Sequence, residues 1–481
     1  MTDLFVALLD FVSSATGMFI GYILPFLIVL SVLIFFHELG HYLVARMCGV
    51  RVDVFSLGFG PELFGKNDRS GTRWKVCAIP FGGYVKMFGD ADAASAPSSE
   101  LTQMTEEERK VSFHHQPVGK RSLIVAAGPV ANFILAVVLL AGIFMIYGQS
   151  YAPPKAEIVY ADSAAEQAGL LPGDMIRTID GKQIRRFRQL QQVIGINSGT
   201  PVDLIYEREP FDPVIGDIVP GSAAEQAGLL PGDTILEASG KSVTLFQEAV
   251  HALWRSPGAN VDLLIARNGE ELTVTLAADP NSATISVLGL SGPKVPSGPP
   301  TVISVQLTPK VMDTTDNFGF KSSRGMLGVV RTTEDVTEQY FNPFEAVFEA
   351  SRESVYLTCA TLQAVGQMIR GTRSAEELGG PLRIAVLSGQ FAADGVYGIV
   401  LLMALLSINL GLINLFPIPI LDGGHLLFNA IEVMRGRPMG DRAQEYGMRL
   451  GLAFVLFLMV FATWNDLRQM NVFEFFRNMI S

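Results

Sequence analysis

The sequence predicts a polytopic α-helical membrane protein that carries a β-rich region outside the membrane. Three observations indicate this fold class: four long apolar segments, a twelve-residue repeat, and a composition that is 49% hydrophobic and 17% charged. Mean hydropathy is +0.33, which is high for a soluble protein of this length. The formal net charge is −11 and no basic stripe occurs, so nucleic-acid binding is not expected.

Four segments are long and apolar enough to cross a bilayer as helices. They cover residues 19–36, 123–147, 396–416 and 446–464. Each has about 18–25 residues, which matches a hydrocarbon core of roughly 30 Å. The first has no basic segment before it and no small-residue cleavage site after it, so it is not a cleavable signal peptide.

Positive charges are concentrated in two of the connections between these segments. They are Arg46, Arg51, Lys120 and Arg121 in the first connection and Arg435, Arg437 and Arg442 in the last. The positive-inside rule predicts that both connections are cytoplasmic, so both termini and residues 150–395 lie outside. In a bacterium this orientation corresponds to the inner membrane, with residues 150–395 in the periplasm.

The outside region contains a duplication. The twelve residues that begin at Ser163 recur identically from Ser222, at an offset of 59 residues (222 minus 163). An identical match of this length is far beyond chance. The Ala-Gly-Leu-x-x-Gly-Asp turn, followed by a short strand and a Gly-Lys turn, resembles a bacterial PDZ domain. That fold is a small sheet with helices, and it binds peptides by strand addition.

The two copies of the repeat end differently. The second continues through the turn Asn268-Gly269 into an alternating strand at 272–276, whereas the first stops after Arg208. Residues 303–308 alternate in the same way, and we predict that they supply the missing strand of the first copy. The second copy would then be inserted into the last hairpin of the first. The alternative is that residues 302–308 are only a linker strand.

Residues 344–370 have apolar positions at helical spacing, which indicates an amphipathic helix that lies on the membrane surface or packs as an ordinary globular helix.

Together the sequence patterns predict five regions along the chain. The predicted regions are 1–149 with two spanning helices and a cytoplasmic-side β-hairpin; 150–209 with 301–310 as the first PDZ domain; 210–290 as the second; 311–395 as a connector with the amphipathic helix; and 396–481 with the last two spanning helices.

The sequence His37-Glu38-Leu39-Gly40-His41 directly follows the first apolar segment, at the expected cytoplasmic end of the first spanning helix. On a helix, the two histidines lie about 40° apart around the axis and about 6 Å along it. Both imidazoles can therefore reach one tetrahedral Zn²⁺, and Glu38 can act on a water molecule beside it. The short motif also occurs by chance, but ionisable side chains at membrane segments are costly and functional by default.

A third protein ligand is expected from Asp422, at the end of the third apolar segment. Pro417 and Pro419 break the helix there, and irregular backbone at membrane depth is tolerated only around protein or a water-filled cavity. The alternative for Asp422 is a solvated loop carboxylate. His425 is a second candidate ligand, although an outer-shell or loop role fits it better.

Together these motifs resemble the site-2 protease family of intramembrane zinc metalloproteases, and within it the RseP-like group of bacterial sigma-E protease regulators. The resemblance runs from about residue 22 to residue 466. It includes the histidine motif after an apolar helix, the Asn414-Leu-Phe-Pro-Ile-Pro stretch that leads to Asp422-Gly-Gly, and the PDZ domains between them. The two nearly identical PDZ copies depart from the more divergent pair of the family, which puts their separate roles in doubt.

Two further regions carry the resemblance. Asn132 closes a segment similar to the family's Gly-x-x-x-Asn signature, and residues 55–87 resemble its membrane-associated β-hairpin. The supporting glycines of that hairpin are Gly58, Gly60, Gly82 and Gly83. The Gly-rich strands could pair with an extended substrate as an edge, or the hairpin could only plug the membrane domain.

The resemblance implies a particular chemistry and substrate class. Zinc would be held by His37, His41 and Asp422, with one position open for water, and Glu38 would be the general base. Asn414 would hold substrate or the developing oxyanion. A structural helix-packing role is the alternative for Asn414, and the same alternative applies to Asn132.

The implied substrate is a single-span membrane protein that has already been trimmed on its outer side, such as an anti-sigma factor or a remnant signal peptide. The PDZ domains would recognise trimmed C-termini or exclude bulky outer domains, and the resemblance favours exclusion. The rival class is a non-catalytic membrane scaffold, which has no need of Glu38. A metal transporter would need further intramembrane ligands along a pathway, and we find none in the sequence.

Overall fold

The computed structural model describes residues 19–90, 104–255, 260–276, 291–315, 321–330, 337–371, 374, 379–437 and 439–470. The chain divides into two compact units. The helical unit lies within Met1–Gln149 and Tyr340–Ser481, and the β-rich unit lies within Ser150–Thr315 and Lys321–Gln339. The ends of two predicted regions, around 277–290 and 471–481, lie outside the described residues.

Both units contain helices, and the longest ones belong to the helical unit. In chain order they are α1 (Leu24–Met47), α2 (Glu106–Val111), α3 (Val118–Ile146), α4 (Ala164–Gln167), α5 (Phe187–Ile196), α6 (Ala223–Gln226), α7 (Phe246–Trp254), α8 (Pro343–Ile369), α9 (Pro381–Ala393), α10 (Gly395–Leu415), α11 (Asp422–Arg435) and α12 (Asp441–Gln469). A short π-helical segment, Phe19–Ile23, precedes α1.

Two strands form the β-hairpin of the helical unit, and most of the others belong to the β-rich unit. In chain order they are β1 (Val52–Asn67), β2 (Arg73–Met87), β3 (Gln149–Tyr151), β4 (Ile158–Val159), β5 (Met175–Ile179), β6 (Lys182–Gln183), β7 (Val202–Arg208), β8 (Thr234–Ala238), β9 (Lys241–Ser242), β10 (Val261–Arg267), β11 (Glu270–Leu276), β12 (Thr301–Leu307), β13 (Lys310–Thr315), β14 (Lys321–Met326), β15 (Val329–Val330) and β16 (Thr337–Gln339).

All four predicted apolar segments form helices that are long and apolar enough to cross a membrane. These candidate spans are Ile20–Met47, Val118–Ile146, Gly395–Leu415 and Arg442–Gln469. Their lengths are 28, 29, 21 and 28 residues, so each exceeds the roughly 20 residues that a hydrocarbon core requires. The prediction of four spans is therefore confirmed by length and composition.

Helix α1 continues past the histidine motif, which corrects the expectation that the motif ends the helix. The helix runs on to Met47 and closes where Gly49 adopts a φ of +82°, the left-handed conformation of a C-terminal glycine. Ala45, in this extra turn, is fully buried and packs in one cluster with Phe55 and Val85 of the hairpin. The two histidines therefore lie within a packed helix rather than at a fraying end.

Helix α3 contacts most of the other long helices of this unit: α1, α8, α10 and α11. The predicted amphipathic helix forms α8 and packs Ala346 and Ala350 in one cluster with Leu140 of α3. Its other face exposes large apolar side chains, including Phe344 and Phe348. This helix thus packs on a spanning helix with one face and leaves an apolar face uncovered. Helix α9 was not predicted from the sequence.

The β-hairpin folds back on itself. Phe55 is paired both with Trp74 and with Val85, so the first half of β1 lies between the two halves of β2. The turn at Asp68 is tied to helix α1, because the Tyr42 hydroxyl donates to the Asp68 carboxylate over 2.8 Å. The Trp74 indole N–H donates to the same oxygen over 3.1 Å. These bonds fix the hairpin next to the helix that carries the histidines.

The two copies of the repeat form sheets with the same strand order. The orders are β12-β7-β5-β6 for the first copy and β11-β10-β8-β9 for the second. In the first copy, Leu307 pairs with Val202 and Thr301 pairs with Arg208. Strand β12 follows the whole second copy in sequence, so this is the strand pairing that the insertion hypothesis requires. In the second copy, Asn268 and Gly269 both have positive φ, as a two-residue hairpin turn demands.

An ion-pair network is duplicated with the repeat. Arg208 donates from Nε and Nη2 to the Asp174 carboxylate over 2.8 and 2.7 Å, and Arg267 donates to Asp233 over 2.7 and 2.6 Å. The backbone N–H of Leu230 also donates to Asp233 over 2.8 Å. Hydrogen bonds from Arg267 therefore lower the pKa of Asp233. Sequence reasoning noticed both aspartates in the repeat but missed their arginine partners, which lie at the same offset of 59 residues (267 minus 208).

Candidate metal centre

Three side chains with metal-ligating atoms meet in the helical unit. They are His37, His41 and Asp422, and their donor atoms all lie within 4.8 Å of one another. The Nε2 atoms of the two histidines are 3.3 Å apart. His37 Nε2 lies 3.2 Å from Asp422 Oδ2, and His41 Nε2 lies 3.5 Å from Asp422 Oδ1. Among the described residues this is the one such cluster that could hold a metal ion.

The remaining ring nitrogens of both histidines contact polar groups of helix α3. His41 Nδ1 donates to the carbonyl oxygen of Ile124 over 2.9 Å, which leaves Nε2 with a lone pair that faces the cluster. His37 Nδ1 lies 3.1 Å from the amide Nδ2 of Asn132. Amide nitrogen and oxygen are interchangeable by rotation, so the Asn132 side-chain oxygen can equally accept a hydrogen bond from Nδ1–H. Partners of this kind fix the orientation of histidine ligands.

The space for the two imidazoles depends on a glycine in α3. A Cβ atom at Gly128 would overlap His41 Nε2 and would lie 2.9 Å from His37 Cε1. Gly40, between the histidines, is equally constrained, because a Cβ there would lie 2.7 Å from the Ala131 side chain. Helices α1 and α3 therefore approach each other closely at the motif.

The segment between α10 and α11 brings in the carboxylate. Helix α10 ends at Leu415, and Asp422 is the first residue of α11. Gly424 allows the chain to fold back, since a Cβ there would lie 2.5 Å from the Ile418 carbonyl oxygen. The prediction that the prolines break the third span is confirmed. The break places Asp422 at a helix N-terminus, where a carboxylate is favoured by the helix dipole.

Helix α11 is fastened to the start of α3. Arg121 Nη2 lies 2.6 Å from Glu432 Oε1, and both side chains are less than one-fifth exposed. The Asn429 amide donates to the Ser122 hydroxyl over 3.1 Å. Because α3 also holds Asn132 and Gly128, these bonds tie the carboxylate-bearing helix to the helix that supports both histidines. Sequence reasoning used Arg121 only as a topogenic charge.

One residue of the folded-back segment has a strained backbone. Ile420 has a φ of +88°, while the Leu421 N–H donates to the Ile418 carbonyl over 3.0 Å. With Pro419 at the second position, this is the pattern of a type II turn, whose third position normally takes glycine. A β-branched residue in this conformation costs about 1–3 kcal/mol.

Glu38 is held against the hairpin. Glu38 lines the same cavity as Val85 of strand β2. Gly83, two residues earlier in β2, lets the strand approach, because a Cβ there would lie 2.8 Å from the Ser56 carbonyl oxygen and 3.2 Å from Glu38 Cγ. The hairpin therefore lies directly beside the carboxylate that follows the first histidine.

A cavity of about 200 Å³ opens at the cluster. Its lining includes His37, Glu38, His41, Gly83, Tyr84, Val85, Met87, Phe113, Val125, Asn414, Ile420, Leu421, Asp422 and His425. Asn414, predicted to contact substrate, thus lies at the same cavity as Glu38. His425 also lines the cavity, but it is not part of the group of three possible ligands.

The other predicted glycines belong to the hairpin rather than to the cavity wall. Gly58, Gly60 and Gly82 have φ values of +83°, +86° and +110°, a conformation that favours glycine. A Cβ at Gly58 would lie 3.2 Å from the Cys77 carbonyl oxygen. These positions are therefore explained by the fold of the hairpin, whereas Gly83 is the one that lines the cavity.

The fold and this cluster define a multi-pass membrane protein whose apolar helices surround a group of metal-ligating side chains. The sequence profile of peptidase family M50 matches residues 25–458. The chain is 39% identical over 459 residues to the "putative zinc metalloprotease" of Agrobacterium fabrum, which covers 95% of this chain and 98% of that relative. It is 34% identical over 477 residues to the regulator of sigma-E protease RseP of Salmonella typhimurium, with coverage of 92% and 97%.

The chain therefore belongs to peptidase family M50, the site-2 protease family, and it is a zinc metalloprotease. The donor set suits this cofactor, since two imidazoles and one carboxylate form a common catalytic zinc site. One oxygen atom of the Asp422 carboxylate also has no hydrogen bond, in the described part of the chain, that would explain its position. Among the described residues, the buried Asp422 Oδ2 has no hydrogen-bond partner, and such an atom is costly unless an ion or a donor faces it.

Proposed function

We propose that this protease cleaves the transmembrane segment of single-span membrane proteins, with zinc held by His37, His41 and Asp422. The observation that carries the proposal is the convergence of these three donors with Glu38 at one cavity among apolar helices. A substrate that reaches this cavity is already in the membrane. The name of one relative, regulator of sigma-E protease, supports an anti-sigma-factor type of substrate. A remnant signal peptide is the second type of substrate that we propose.

The residues of the cavity divide the chemistry between them. Bound zinc supplies Lewis acidity, which polarises a scissile carbonyl and makes water more acidic. Glu38 takes a proton from the attacking water and passes it to the leaving amine. The Asn414 side-chain amide donates to substrate or to the oxygen that gains charge. Asn132 and the Ile124 carbonyl keep the two imidazoles in their orientations.

The hairpin has a proposed part in substrate binding. A transmembrane helix hides its amides in internal hydrogen bonds, so cleavage requires a locally extended segment. The second half of β2 carries Gly83 and Val85 at the cavity, where an extended substrate could pair with it by strand addition. Gly83 of this strand lies close to Glu38, so a paired substrate would lie beside the general base.

Glu38→Gln tests the proposed catalytic role. The variant should keep the fold and bind zinc, because the amide has the same shape and Glu38 is not one of the three ligands. Cleavage of a model transmembrane substrate in detergent should fall by about 10²–10⁴-fold, as expected for loss of a general base. Zinc content and cleavage rate are measured on the same preparation of each protein. Unimpaired cleavage by the variant would refute the mechanism. If neither the variant nor the wild type cleaved the substrate, the result would favour the non-catalytic scaffold.

The two repeat copies are proposed to be PDZ domains in the periplasm, with the second inserted into the first. Their pairing of β12 with β7 supports the insertion. We propose that they act as a size filter that excludes substrates with bulky outer domains. The filter leaves access to substrates whose outer part has been removed.

The filter is tested with one transmembrane segment presented in two forms. One form carries a folded outer domain and the other ends shortly after the membrane. The wild type should cleave the trimmed form faster, and Asp233→Asn, which weakens the second copy, should narrow that difference. Equal cleavage rates for both forms in the wild type would exclude a size filter. Recognition of C-termini would then be favoured only if cleavage of the trimmed form required its free C-terminal carboxylate.

A further inference from the structure

We propose that Ile420 determines substrate specificity, by contacting a substrate side chain that flanks the scissile bond. This inference rests on the proposed function. Ile420 lines the cavity together with Glu38, Asn414 and Asp422. Any peptide bond placed between the general base and the zinc ligands would bring its neighbouring side chains to this wall.

The backbone at Ile420 argues that its side chain is retained for a reason. The third residue of a type II turn has a positive φ, which favours glycine, so the turn itself gains nothing from a side chain at this position. The other non-glycine residues with positive φ in the described part of the chain are Asp162, Asp180, Ser239 and Asn268. None of these is β-branched, and aspartate and asparagine tolerate the conformation better than isoleucine.

Two of the surrounding helices pack closely on the turn. Gly424 of α11 packs against the Ile418 carbonyl, and a Cβ there would lie 2.6 Å from Pro419 Cα. Gly451 of α12 also packs on Pro419, since a Cβ there would lie 2.9 Å from Pro419 Cβ. Strained conformations persist where neighbouring structure determines them, and they concentrate at functional sites. Glycine would adopt this backbone conformation without strain, so the reason for isoleucine at position 420 must lie in its side chain.

The chemistry of the neighbouring wall defines what this side chain would accept. Leu421, Val125 and Phe113 line the same cavity and are apolar. With a volume of about 200 Å³, the cavity has limited room beside the zinc ligands. Ile420 would therefore favour small or medium aliphatic side chains at the scissile bond and disfavour aromatic ones.

The test uses the full-length protein in detergent and a series of model transmembrane substrates. The wild-type cleavage position is first located by mass spectrometry, and each flanking residue is then varied among Ala, Leu and Phe. Values of kcat and KM are compared for the wild type, Ile420→Ala and Ile420→Gly. Ile418→Ala is the matched control, because Ile418 belongs to the same turn but does not line the cavity.

Removing the Ile420 side chain should raise the Phe-to-Ala ratio of kcat/KM by about tenfold at one flanking position, as expected for a change of a few methyl groups in an apolar pocket. Ile418→Ala should leave the ratio unchanged. Ile420→Gly should also have a higher Tm than Ile420→Ala, because glycine relieves the positive φ.

Three outcomes overturn parts of the proposal. If both Ile420 variants change the rate for all substrates equally, the residue is structural and the inference fails while the proposed function stands. If Ile420→Gly is no more stable than Ile420→Ala, the argument from backbone strain fails. If the wild type cleaves none of the substrates, the proposed function fails and the inference fails with it.

Discussion

At the scale of single residues, the site depends as much on missing side chains as on reactive ones. Gly128 offers no chemistry, yet its Cα faces both imidazoles at a distance that leaves no room for a methyl group. On the hairpin side, a Cβ at Gly83 would lie 2.8 Å from the Ser56 carbonyl oxygen and 3.2 Å from Glu38 Cγ. The imidazoles and Glu38 thus lie against the main chain at Gly128 and Gly83, and a main chain cannot move aside as a flexible side chain would.

Gly128→Ala should weaken zinc binding with little loss of fold. The new methyl group would overlap His41 Nε2, while alanine favours the helix by about 1 kcal/mol over glycine. Zinc affinity, measured by competition with a chelator, should fall by about 10–100-fold or more. Gly142→Ala is the matched control in the same helix, because a Cβ at Gly142 meets no atom within 4 Å. Equal affinity in both variants would show that the imidazoles are not held as described.

Asn132 shows how a residue's role changes when its partner is known. Its sequence context gave only a family signature and a choice between support and helix packing. In the structure its amide lies 3.1 Å from His37 Nδ1, while its main-chain carbonyl accepts from the Ser407 hydroxyl over 2.8 Å. It therefore contacts a proposed zinc ligand with its side chain and helix α10 with its backbone.

At the scale of elements, the duplicated copies keep one stabilising network. The carboxylates of Asp174 and Asp233 are almost fully buried, and each pairs with an arginine at the end of the strand that runs alongside. A buried carboxylate requires such a partner, because an unpaired charge is costly in an apolar core. This requirement explains why the turn and the strand end are preserved together in both copies.

Asp233→Asn should destabilise the second copy by about 1–3 kcal/mol, because Arg267 and the Leu230 N–H lose a charged acceptor. Hydrogen exchange of the β8 and β10 amides in the full-length protein should accelerate at neutral pH. Asp262→Asn is the control, since Asp262 is an exposed carboxylate on the same sheet. Similar exchange in both variants would show that the network does not stabilise the copy.

The pH dependence of this effect follows from the pKa of Asp233. Hydrogen bonds from Arg267 hold that pKa below its usual value, so the folded state binds fewer protons than the unfolded state in acid. The stabilisation is complete above the unfolded pKa of about 3.9 and is lost as pH falls through the lower folded pKa. The destabilisation by Asp233→Asn should therefore be largest near neutral pH and should shrink below about pH 4.

At the scale of the whole molecule, the two units combine a membrane-embedded zinc protease with a region of β-sheets. The charge bias of the connections predicts that the helical unit places its histidine motif toward the cytoplasm and that the repeat lies outside. Both statements depend only on the positions of lysines and arginines along the chain. They can be tested without any assumption about catalysis.

Labelling with a membrane-impermeant maleimide tests this orientation. In a background where Cys48, Cys77 and Cys359 are replaced by alanine, Gln183→Cys and Arg437→Cys each introduce one thiol at an exposed position. In cells with a permeable outer membrane, Gln183→Cys should react at once and Arg437→Cys only after lysis. The reverse pattern would contradict the predicted topology.

The sequence by itself determined the elements whose cause is local. Apolar length defined the four spans, the spacing of His37 and His41 defined one face of a helix, and the identical twelve residues defined a repeat. The alternating pattern of 303–308 even identified the strand that pairs with β7, because a sheet missing one strand leaves an edge that only such a pattern can fill. Asp422 was predicted as the third zinc ligand because the prolines before it lie at membrane depth and need a special environment.

Tertiary structure alone decided the features that depend on contacts between distant parts of the chain. The Arg121–Glu432 pair joins residues 311 positions apart, and neither residue has a pattern that indicates the other. The close approach of Gly128 to the histidines and the folding of β1 between both halves of β2 arise from packing, which no local propensity encodes. The strain at Ile420 is of the same kind, because helices α11 and α12 pack against Ile418 and Pro419, and the turn sequence does not indicate those contacts.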